Sequence, residues 1–360
     1  MTLDFLMLQS FRSYGDINLE LGPYFNFITG ANGTGKTSLL EAASVILSGY
    51  SFRKTPDRYL ISQKSPSYYV GGRITHQQGC SRIEISYHKQ KGRQIFIDKK
   101  KVASFKELMM LFPFLSFEPE DKDMITGEPE LRRRFFDRMI SYLEPSYYDE
   151  LLRYQKLLKQ RNQLLKEKAF QNMDFWEKEL SLSAQKIASR RGVYLDIFNQ
   201  ALKKAKLPIG AEGVFFLYKK NYEQEDLSLT LKKDRPLDTR LGFTKAGPHR
   251  DDFLLQFPLG VVKHFASQGQ IKTLSFYIKL IGAQIFAQRL KKKPILLIDD
   301  IFAELDSSNR KKILLGLEEL ETQVLITAVN KDSLTPLFQK KFFSFQTQLG
   351  GHIQKGEENE

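Results

Sequence analysis

Eight residues near the N-terminus, GANGTGKT from Gly30 to Thr37, have the composition and spacing of a phosphate-binding loop. They fit the pattern G-x-x-x-x-G-K-[ST], whose glycines let backbone N–H groups turn inward onto phosphate oxygens. Lys36 is placed to reach the β and γ phosphates, and the Thr37 hydroxyl can ligate Mg²⁺. The predicted nucleotide-binding residues of this loop are Gly30, Ala31, Asn32, Gly33, Thr34, Gly35, Lys36, Thr37 and Ser38.

Two adjacent acidic residues, Asp299 and Asp300, follow the apolar run 295–298, which predicts a buried strand. At the end of such a strand, Asp299 is predicted to hold Mg²⁺ through water, and Asp300 to orient or deprotonate an attacking water. The two roles can be exchanged, because the sequence does not show which carboxylate faces the metal. Adjacent aspartates also start ordinary turns, but a phosphate loop in the same chain favours the catalytic interpretation, with Lys36 and Asp300 as catalytic residues.

A third segment, SQGQ, precedes an apolar-periodic run. Ser267 and Gln270 have the spacing of a capping box at a helix start. Because free N–H groups at a helix N-terminus bind anions, the sequence predicts an anion site here. Its residues are Ser267, Gln268, Gly269 and Gln270.

The elements that position these motifs follow from periodicity. FNFITG at 25–30 predicts a buried strand before the phosphate loop, and 38–48 has helical spacing after it. Residues 68–98 alternate as strands, whereas 129–206 are poor in glycine and predict a helical hairpin or small lobe. PILLIDD and QVLITAVN predict buried parallel strands separated by a helix. The predicted fold is therefore an α/β domain with an inserted helical lobe.

Composition narrows the class of protein. The 360 residues, 41% hydrophobic and 27% charged, are typical of a soluble globular protein. No apolar run approaches the roughly 20 residues that cross a membrane, and the N-terminus predicts a first strand, not a signal peptide. One cysteine, Cys80, favours a reducing, cytoplasmic compartment. The net charge of +13 fits a polyanionic partner, or simply a basic protein.

The order of the motifs resembles that of the ABC-type ATPases, in which a D-loop follows the acidic pair. Here that loop is AELD, with Glu304, Leu305 and Asp306. More narrowly, the chain resembles the RecF family, bacterial recombination-repair relatives of the SMC head domains, over nearly its whole length. The resemblance is carried by FRSY (11–14), GANGTGKTSLLEA (30–42), FEPED (117–121), GEPELRRRFFD (127–137), YQKLLKQRN (154–162), GPHRDD (247–252), SQGQ (267–270) and LLIDDIFAELD (296–306).

The resemblance implies an ABC-type, SMC-head-like P-loop ATPase domain with a helical lobe. It implies an ATPase head at 1–117 and 207–360, with the helical lobe at 118–206. It also implies ATP and Mg²⁺ as cofactors, an ATP-dependent homodimer, and Ser267 to Gln270 acting on ATP held by the other protomer. Arg12 is expected to reach the nucleotide phosphates or, alternatively, to cap a strand turn.

Members of this family are expected to bind gapped or single-strand/double-strand junction DNA without sequence preference, near the nucleoid. They are expected to help load RecA together with RecO and RecR. The candidate DNA contacts, each also readable as a solvated or loop-organising residue, are Lys99, Lys100, Lys101, Arg132, Arg133, His249 and Arg250.

Two other classes of protein share part of this motif pattern. A membrane-transporter ATPase subunit shares the ABC motifs, but a long helical segment separates Lys36 from Ser267 here, and VLITAVN ends without a switch histidine. A P-loop small-molecule kinase does not explain why SQGQ and AELD occur together. The RecF-like segments favour the DNA-repair interpretation over both.

Overall fold

The structure is a computed structural model that describes residues 1–102, 105–207, 211–222, 226–290, 292–300, 307–330 and 342–356. Its strands are β1 (Thr2–Phe11), β2 (Tyr14–Glu20), β3 (Phe25–Thr29), β4 (Ser67–His76), β5 (Gly79–His88), β6 (Gly92–Ile97), β7 (Lys100–Lys101), β8 (Phe114–Phe117), β9 (Phe215–Lys219), β10 (Asp252–Phe257), β11 (Gly260–Val261), β12 (Ile295–Ile298), β13 (Val324–Ala328), β14 (Phe342–Gln348) and β15 (His352–Lys355). Its α-helices are α1 (Lys36–Ser48), α2 (Phe105–Leu111), α3 (Asp123–Thr126), α4 (Pro129–Leu143), α5 (Pro145–Glu167), α6 (Met173–Lys204), α7 (Leu227–Leu241), α8 (Val262–Phe265), α9 (Gln268–Leu290) and α10 (Ser307–Glu319).

The chain divides into two compact units. The first unit combines Met1–Pro119 with Phe286–Glu360, and the second is Glu120–Ile285. The second unit is therefore inserted into the first, as the sequence predicted for a lobe within an α/β domain. Among the helices of the described residues, none has both the length and the apolar character to cross a bilayer.

The first unit is built on two sheets. Among the described strands, one sheet is antiparallel with the order β2-β1-β4-β5-β6-β7. The other has the order β15-β14-β3-β13-β12-β8, in which only the β14–β15 pair is antiparallel. Strands β3, β12 and β13 are buried along their whole length, which explains their largely apolar sequences. Because they run parallel, their carboxyl ends meet at one edge of the sheet.

Helix α1 is buried between the two sheets. It contacts β1, β4 and β5 of the antiparallel sheet, and β12 and β13 of the parallel sheet. Its residues from Leu39 to Ser48 are all buried, so it is apolar nearly all round, as expected for a helix enclosed on several sides. The helix that follows the phosphate loop is therefore fixed rigidly in the core.

The second unit is mainly helical. Helices α4 and α5 each begin with a proline at the first turn, Pro129 and Pro145, where the missing N–H is tolerated. Helices α5 and α6 pack against each other, and Tyr154 and Leu165 of α5 are buried in this unit. Helices α4 to α6 lie within the predicted helical region 129–206.

The second unit extends further along the chain than the sequence predicted. It ends at Ile285, whereas the lobe was expected to end at 206. Segments that follow residue 206 pack against the helices: β10 contacts α4, and α7 contacts α5 and α6. Residues 207–285, including the SQGQ segment, therefore belong to the same compact unit as the helices.

Two clusters of buried charges hold the second unit together. In the Arg161 cluster, Arg161 donates to Glu177 at 3.0 Å and to Asp238 at 2.7 Å, and all three side chains are 0% exposed. In the Arg191 cluster, Arg191 donates to Asp137 at 2.8 Å and to Asp251 at 3.3 Å. Because each buried carboxylate has a guanidinium partner, neither cluster leaves an uncompensated charge in the core.

Candidate nucleotide site

The chain leaves β3 at Gly30 and turns sharply before α1 begins. Gly30, Gly33 and Gly35 have φ angles of 149°, 82° and 101°, in the region that favours glycine. A Cβ on Gly30 would lie 2.4 Å from the Thr347 Oγ1 atom, so this position also has no room for a side chain. The glycines of the motif are therefore required by the shape of the loop.

Lys36 lies under this loop. Its Nζ atom donates hydrogen bonds to the carbonyl oxygens of Gly30 and Ala31, at 2.7 and 3.0 Å. Burial lowers the pKa of Lys36, whereas the negative charges of Asp300 and Asp299 oppose that shift. The ammonium group thus bridges two carbonyl groups of the loop and places a positive charge where the loop can bind an anion.

Asp299 lies at the end of β12, against the first turn of α1. Its Oδ1 atom accepts hydrogen bonds from the hydroxyls of Thr37 at 2.7 Å and Thr327 at 2.9 Å. Because the Thr37 hydroxyl donates its hydrogen bond to Asp299, the lone pairs of its oxygen remain available to a cation. Hydroxyl and carboxylate oxygens are hard ligands of the kind that Mg²⁺ prefers.

Asp300 differs from Asp299 in backbone conformation and in exposure to the cavity. Its φ angle of 47° is unusual for a residue other than glycine, and its N–H donates to the Thr327 hydroxyl at 2.9 Å. Asp299 is 2% exposed, whereas Asp300 is half-buried at the edge of a cavity of about 770 Å³. The cavity is lined by Arg12, Ser13, Asn32, Gly33, Gly35, Lys36, Thr37, Ser38, Arg53, Tyr59, Ile61, Ser62, Gln63, Lys64 and Asp300.

Arg12 lines the cavity and is tied to α1. Its Nε and Nη2 atoms donate to the two carboxylate oxygens of Glu41, both at 2.9 Å, and Nη1 donates to the Tyr59 carbonyl at 3.0 Å. The φ angle of Arg12 is 55°, because this residue forms the tight turn between β1 and β2. The predicted contact of Arg12 with phosphate stays a prediction.

Two residues of this region were not found from the sequence. Glu41 is 1% exposed and also accepts hydrogen bonds from Ser51 at 2.7 Å and Thr55 at 3.2 Å. These hydrogen bonds fix the loop 51–55 against α1. The loop carries Arg53, whose Nη2 atom lies 3.1 Å from Asp299 Oδ2. The sequence signal for Glu41 was a carboxylate within the apolar stretch SLLEAASVIL, because a charge buried with that stretch requires hydrogen-bonding partners nearby.

The SQGQ segment has the predicted capping box. The N–H of Ser267 donates to Gln270 Oε1 at 2.8 Å, and the N–H of Gln270 donates to Ser267 Oγ at 3.3 Å. Residues 267–270 are all exposed at the start of α9. The D-loop prediction, Glu304, Leu305 and Asp306, lies outside the described residues.

The candidate metal site consists of Thr37 and Asp299. Within the part of the chain that the structure describes, no group of three or more His, Cys, Asp or Glu side chains is placed to hold a metal ion. Two oxygen-bearing side chains still suit Mg²⁺, which usually keeps several waters and takes further ligands from nucleotide phosphates.

The predicted DNA contacts separate into exposed and buried residues. Lys99, Lys100 and Lys101 are exposed where β6 turns into β7, so they stay candidates. Arg133 is half-buried and donates to the Asp251 carbonyl at 2.7 Å. Arg250 is exposed and its guanidinium lies 5.3 Å from the centre of the Phe243 ring.

The prediction for Arg132 requires correction. This residue is 4% exposed, and its guanidinium donates to both carboxylate oxygens of Asp252, at 2.7 and 3.0 Å. It also donates to the Met124 and Gly127 carbonyls. Arg132 therefore joins α4 to β10 and does not present its charge to a DNA backbone.

His249 organises the loop before β10. Its Nε2 atom lies 3.0 Å from the Thr244 carbonyl, and its Nδ1 atom lies 2.7 Å from the Tyr154 hydroxyl. Because a carbonyl only accepts, Nε2 carries the proton and Nδ1 accepts from Tyr154. Burial lowers the pKa of His249 to about 4, so the ring is neutral near pH 7. The geometry supports the loop-organising interpretation and not a cationic DNA contact.

A phosphate loop that shares one edge of a parallel sheet with a buried aspartate is the core of the P-loop ATPases. The serine-led start of α9 narrows this class to the ABC-type heads. Residues 2–350 match the family model described as RecF/RecN/SMC N terminal domain. An Smc head solved with the C-winged helix domain of ScpA has the same fold, with a TM-score of 0.60 and 15% identity over 99% of this chain and 97% of that chain.

Two further comparisons are more specific. The DNA replication and repair protein RecF of Clostridium acetobutylicum is 32% identical over 335 residues, which are 90% of this chain and 92% of that protein. A solved structure of the recombination mediator protein RecF with ATP, from the RecFOR pathway, has a TM-score of 0.89 and 29% identity, covering 99% of this chain and 97% of that chain. The chain belongs to the RecF family of DNA replication and repair proteins, and it is an ABC-type ATPase.

Proposed function

We propose that this chain is an ATP-gated DNA-binding repair protein that uses Mg²⁺. ATP binds in the cavity beside Gly30 to Ser38, and two copies of the chain close on it. The closed dimer binds gapped or junction DNA and helps load RecA together with RecO and RecR. We further propose that the protein acts in the cytoplasm, at the nucleoid.

The observation that supports this proposal best is the contact between Thr37 and Asp299. These residues are 262 positions apart in the chain, yet their side chains are joined by a 2.7 Å hydrogen bond beside the phosphate loop. The pair brings a hydroxyl and a carboxylate to the place where a metal-bound triphosphate has to lie.

The residues of the cavity have distinct roles in hydrolysis. Lys36 exchanges the carbonyls of Gly30 and Ala31 for phosphate oxygens, and the loop N–H groups bind the same phosphates. Thr37 and Asp299 would hold Mg²⁺, which neutralises charge on the phosphate oxygens during transfer. Asp300, at the cavity edge, orients a water molecule and accepts its proton.

The SQGQ segment completes the site from a second copy. The N–H groups of Ser267 and Gln270 are used in the capping box, but the exposed Ser267 hydroxyl and the N–H groups of Gln268 and Gly269 are placed to bind a γ-phosphate carried by another molecule. Hydrolysis removes that phosphate and shifts the population toward separate protomers. The transporter-subunit alternative has no support, because the family is that of RecF.

DNA binding is expected to be electrostatic and independent of sequence. The net charge of +13 and the exposed run Lys99 to Lys101 suit contacts with the phosphate backbone. Arg133 and Arg250 remain further candidates at the second unit. RecO and RecR are proposed as partners because the solved relative belongs to the RecFOR pathway.

Fluorescence anisotropy with a gapped duplex tests the proposal. The wild-type protein should bind this DNA in low salt much more tightly with Mg²⁺ and ATP than without nucleotide, and Lys36→Ala should lose the difference. A triple variant, Lys99→Ala, Lys100→Ala and Lys101→Ala, should reduce the slope of log affinity against log salt by up to about 3. No ATP-dependent binding to gapped or intact duplex at low salt would contradict the DNA-repair assignment.

A further inference from the structure

Arg53 covers the side of Asp299 that Thr37 and Thr327 leave open. Both threonine hydroxyls donate to Oδ1, whereas the Arg53 guanidinium lies 3.1 Å from Oδ2. The Asp299 side chain is 3% exposed and the Arg53 side chain is 43% exposed. One oxygen of the buried carboxylate is therefore held by hydroxyls from α1 and β13, and the other by the half-exposed side chain of Arg53.

The backbone that carries Arg53 is anchored on α1. The Arg53 N–H donates to the Ser51 hydroxyl at 3.1 Å, and that hydroxyl donates to buried Glu41 at 2.7 Å. Lys54, next in the chain, has a φ angle of 58°, and its N–H donates to the Ser51 carbonyl. The turn is fixed to the same helix that begins with Lys36, so the guanidinium is the part of this loop that can change position.

The contact between Arg53 and Asp299 is of a kind that is easily exchanged. The Arg53 end of the pair is 43% exposed, so solvent screens its charge and the long side chain loses freedom in holding the contact. Thr37 can keep its hydrogen bond to Asp299 while its oxygen binds a cation. Arg53 cannot keep its place, since its positive charge occupies the neighbourhood of Oδ2 that a hydrated cation requires.

We propose that Arg53 is a positioning residue that occupies the metal side of Asp299 and is displaced when a divalent cation enters. The guanidinium then turns into the cavity that it already lines. The chain thereby disfavours a bare cation at Asp299 until phosphates arrive to strengthen its binding. This inference rests on the proposed assignment of Asp299 to the metal.

Binding of Mn²⁺ alone to the nucleotide-free chain, followed by electron paramagnetic resonance of the free ion, tests this proposal. Arg53→Ala should bind Mn²⁺ about tenfold or more tightly than the wild type, because one positive charge is removed from beside the site. Arg53→Lys should return the affinity toward that of the wild type. Arg58→Ala is the matched control, since it removes an exposed arginine that lies over Tyr59, 4.7 Å from its ring centre.

The outcomes separate this inference from the proposed function. A gain in Arg53→Ala that disappears in the double variant Arg53→Ala with Asp299→Asn supports it. Equal Mn²⁺ affinity in Arg53→Ala and wild type, or an equal gain in Arg58→Ala, overturns it. With ATP present, Asp299→Asn should weaken Mn²⁺ binding; unchanged binding there would overturn the metal assignment itself and the inference with it.

Discussion

The arginines of the second unit and the cations of the nucleotide cavity show two different uses of positive charge. Arg161 is 0% exposed and donates to two carboxylates that are equally buried. Lys36 donates to backbone carbonyls, and Arg53 reaches one oxygen of Asp299 from a side chain that is 43% exposed. In the second unit the partners are fixed and enclosed, whereas at the cavity they can be replaced by a ligand.

The positive charges of this basic chain fall into two groups, those paired inside the protein and those open to a ligand. Arg132, Arg161 and Arg191 are paired with carboxylates inside the second unit, so their charges are not available to a DNA backbone. The charge that is free to act on phosphate lies at the cavity and on exposed runs such as Lys99 to Lys101. Burial and partner type therefore separate structural arginines from those that bind ligands.

The largest expected effect is that of Arg161→Met. Removing this guanidinium leaves Asp238 buried without its guanidinium partner and Glu177 with Arg235 alone, which should cost about 3–5 kcal/mol of unfolding free energy. Urea unfolding followed by fluorescence of Trp176, the single tryptophan, reports on α6 of the same unit.

Arg53→Ala is the contrasting variant, and we expect it to change the unfolding free energy by less than about 1 kcal/mol. Equal losses in the two variants would remove the distinction between enclosed and replaceable partners.

The next effect is catalytic. Asp300→Asn should lower the rate of ATP hydrolysis by about 100-fold or more, because the water loses the group that accepts its proton. ATP affinity and urea stability should change little, since Asp300 lies at the cavity edge and not in the core. Unchanged turnover would move the proton acceptor to another residue.

The parts of the site that could be predicted are those carried by local patterns. Gly30 to Thr37 and the acidic pair after β12 each combine a strand with residues of fixed spacing, so Thr37 and Asp299 were both predicted as magnesium ligands; in the structure a hydrogen bond joins their side chains. The capping box of Ser267 and Gln270 is likewise a pattern of neighbouring residues.

The parts that could not be predicted depend on distant contacts with no local signature. Arg132 stands in a run of three arginines that suggests exposure, but its partner Asp252 is 120 residues away. The position of Arg53 depends on the buried carboxylate of Glu41 and on the meeting of α1 with β12. The inclusion of α7 and β10 in the second unit follows from their packing against helices α4 to α6, which periodicity does not reveal.

A smaller effect is expected from pH in the second unit. Burial lowers the pKa of His249 to about 4, below about 6.5 in the unfolded chain, so the unfolded state binds more protons between these values. Stability should therefore fall as pH decreases from 7 to 5, by about 2 kcal/mol from this residue. Urea unfolding followed by Trp176 fluorescence at the two pH values measures the loss.

His249→Gln provides the control for this prediction. Glutamine can still accept from Tyr154 and donate to Thr244, but it does not titrate in this range. The variant should lose about 2 kcal/mol less than the wild type between pH 7 and 5. An identical pH dependence in both proteins would mean that His249 is not held neutral by its surroundings.

Sedimentation velocity with Mg²⁺ and ATP tests most directly whether the site is completed by a second copy of the chain. Wild-type protein should shift from monomer to dimer on addition of ATP, whereas Ser267→Arg should bind ATP with similar affinity and stay monomeric. Ser267 is exposed, so the added side chain should obstruct the partner's phosphate and not the fold. An ATP-dependent dimer of Ser267→Arg, or a wild-type protein that remains monomeric with saturating ATP, would contradict the account.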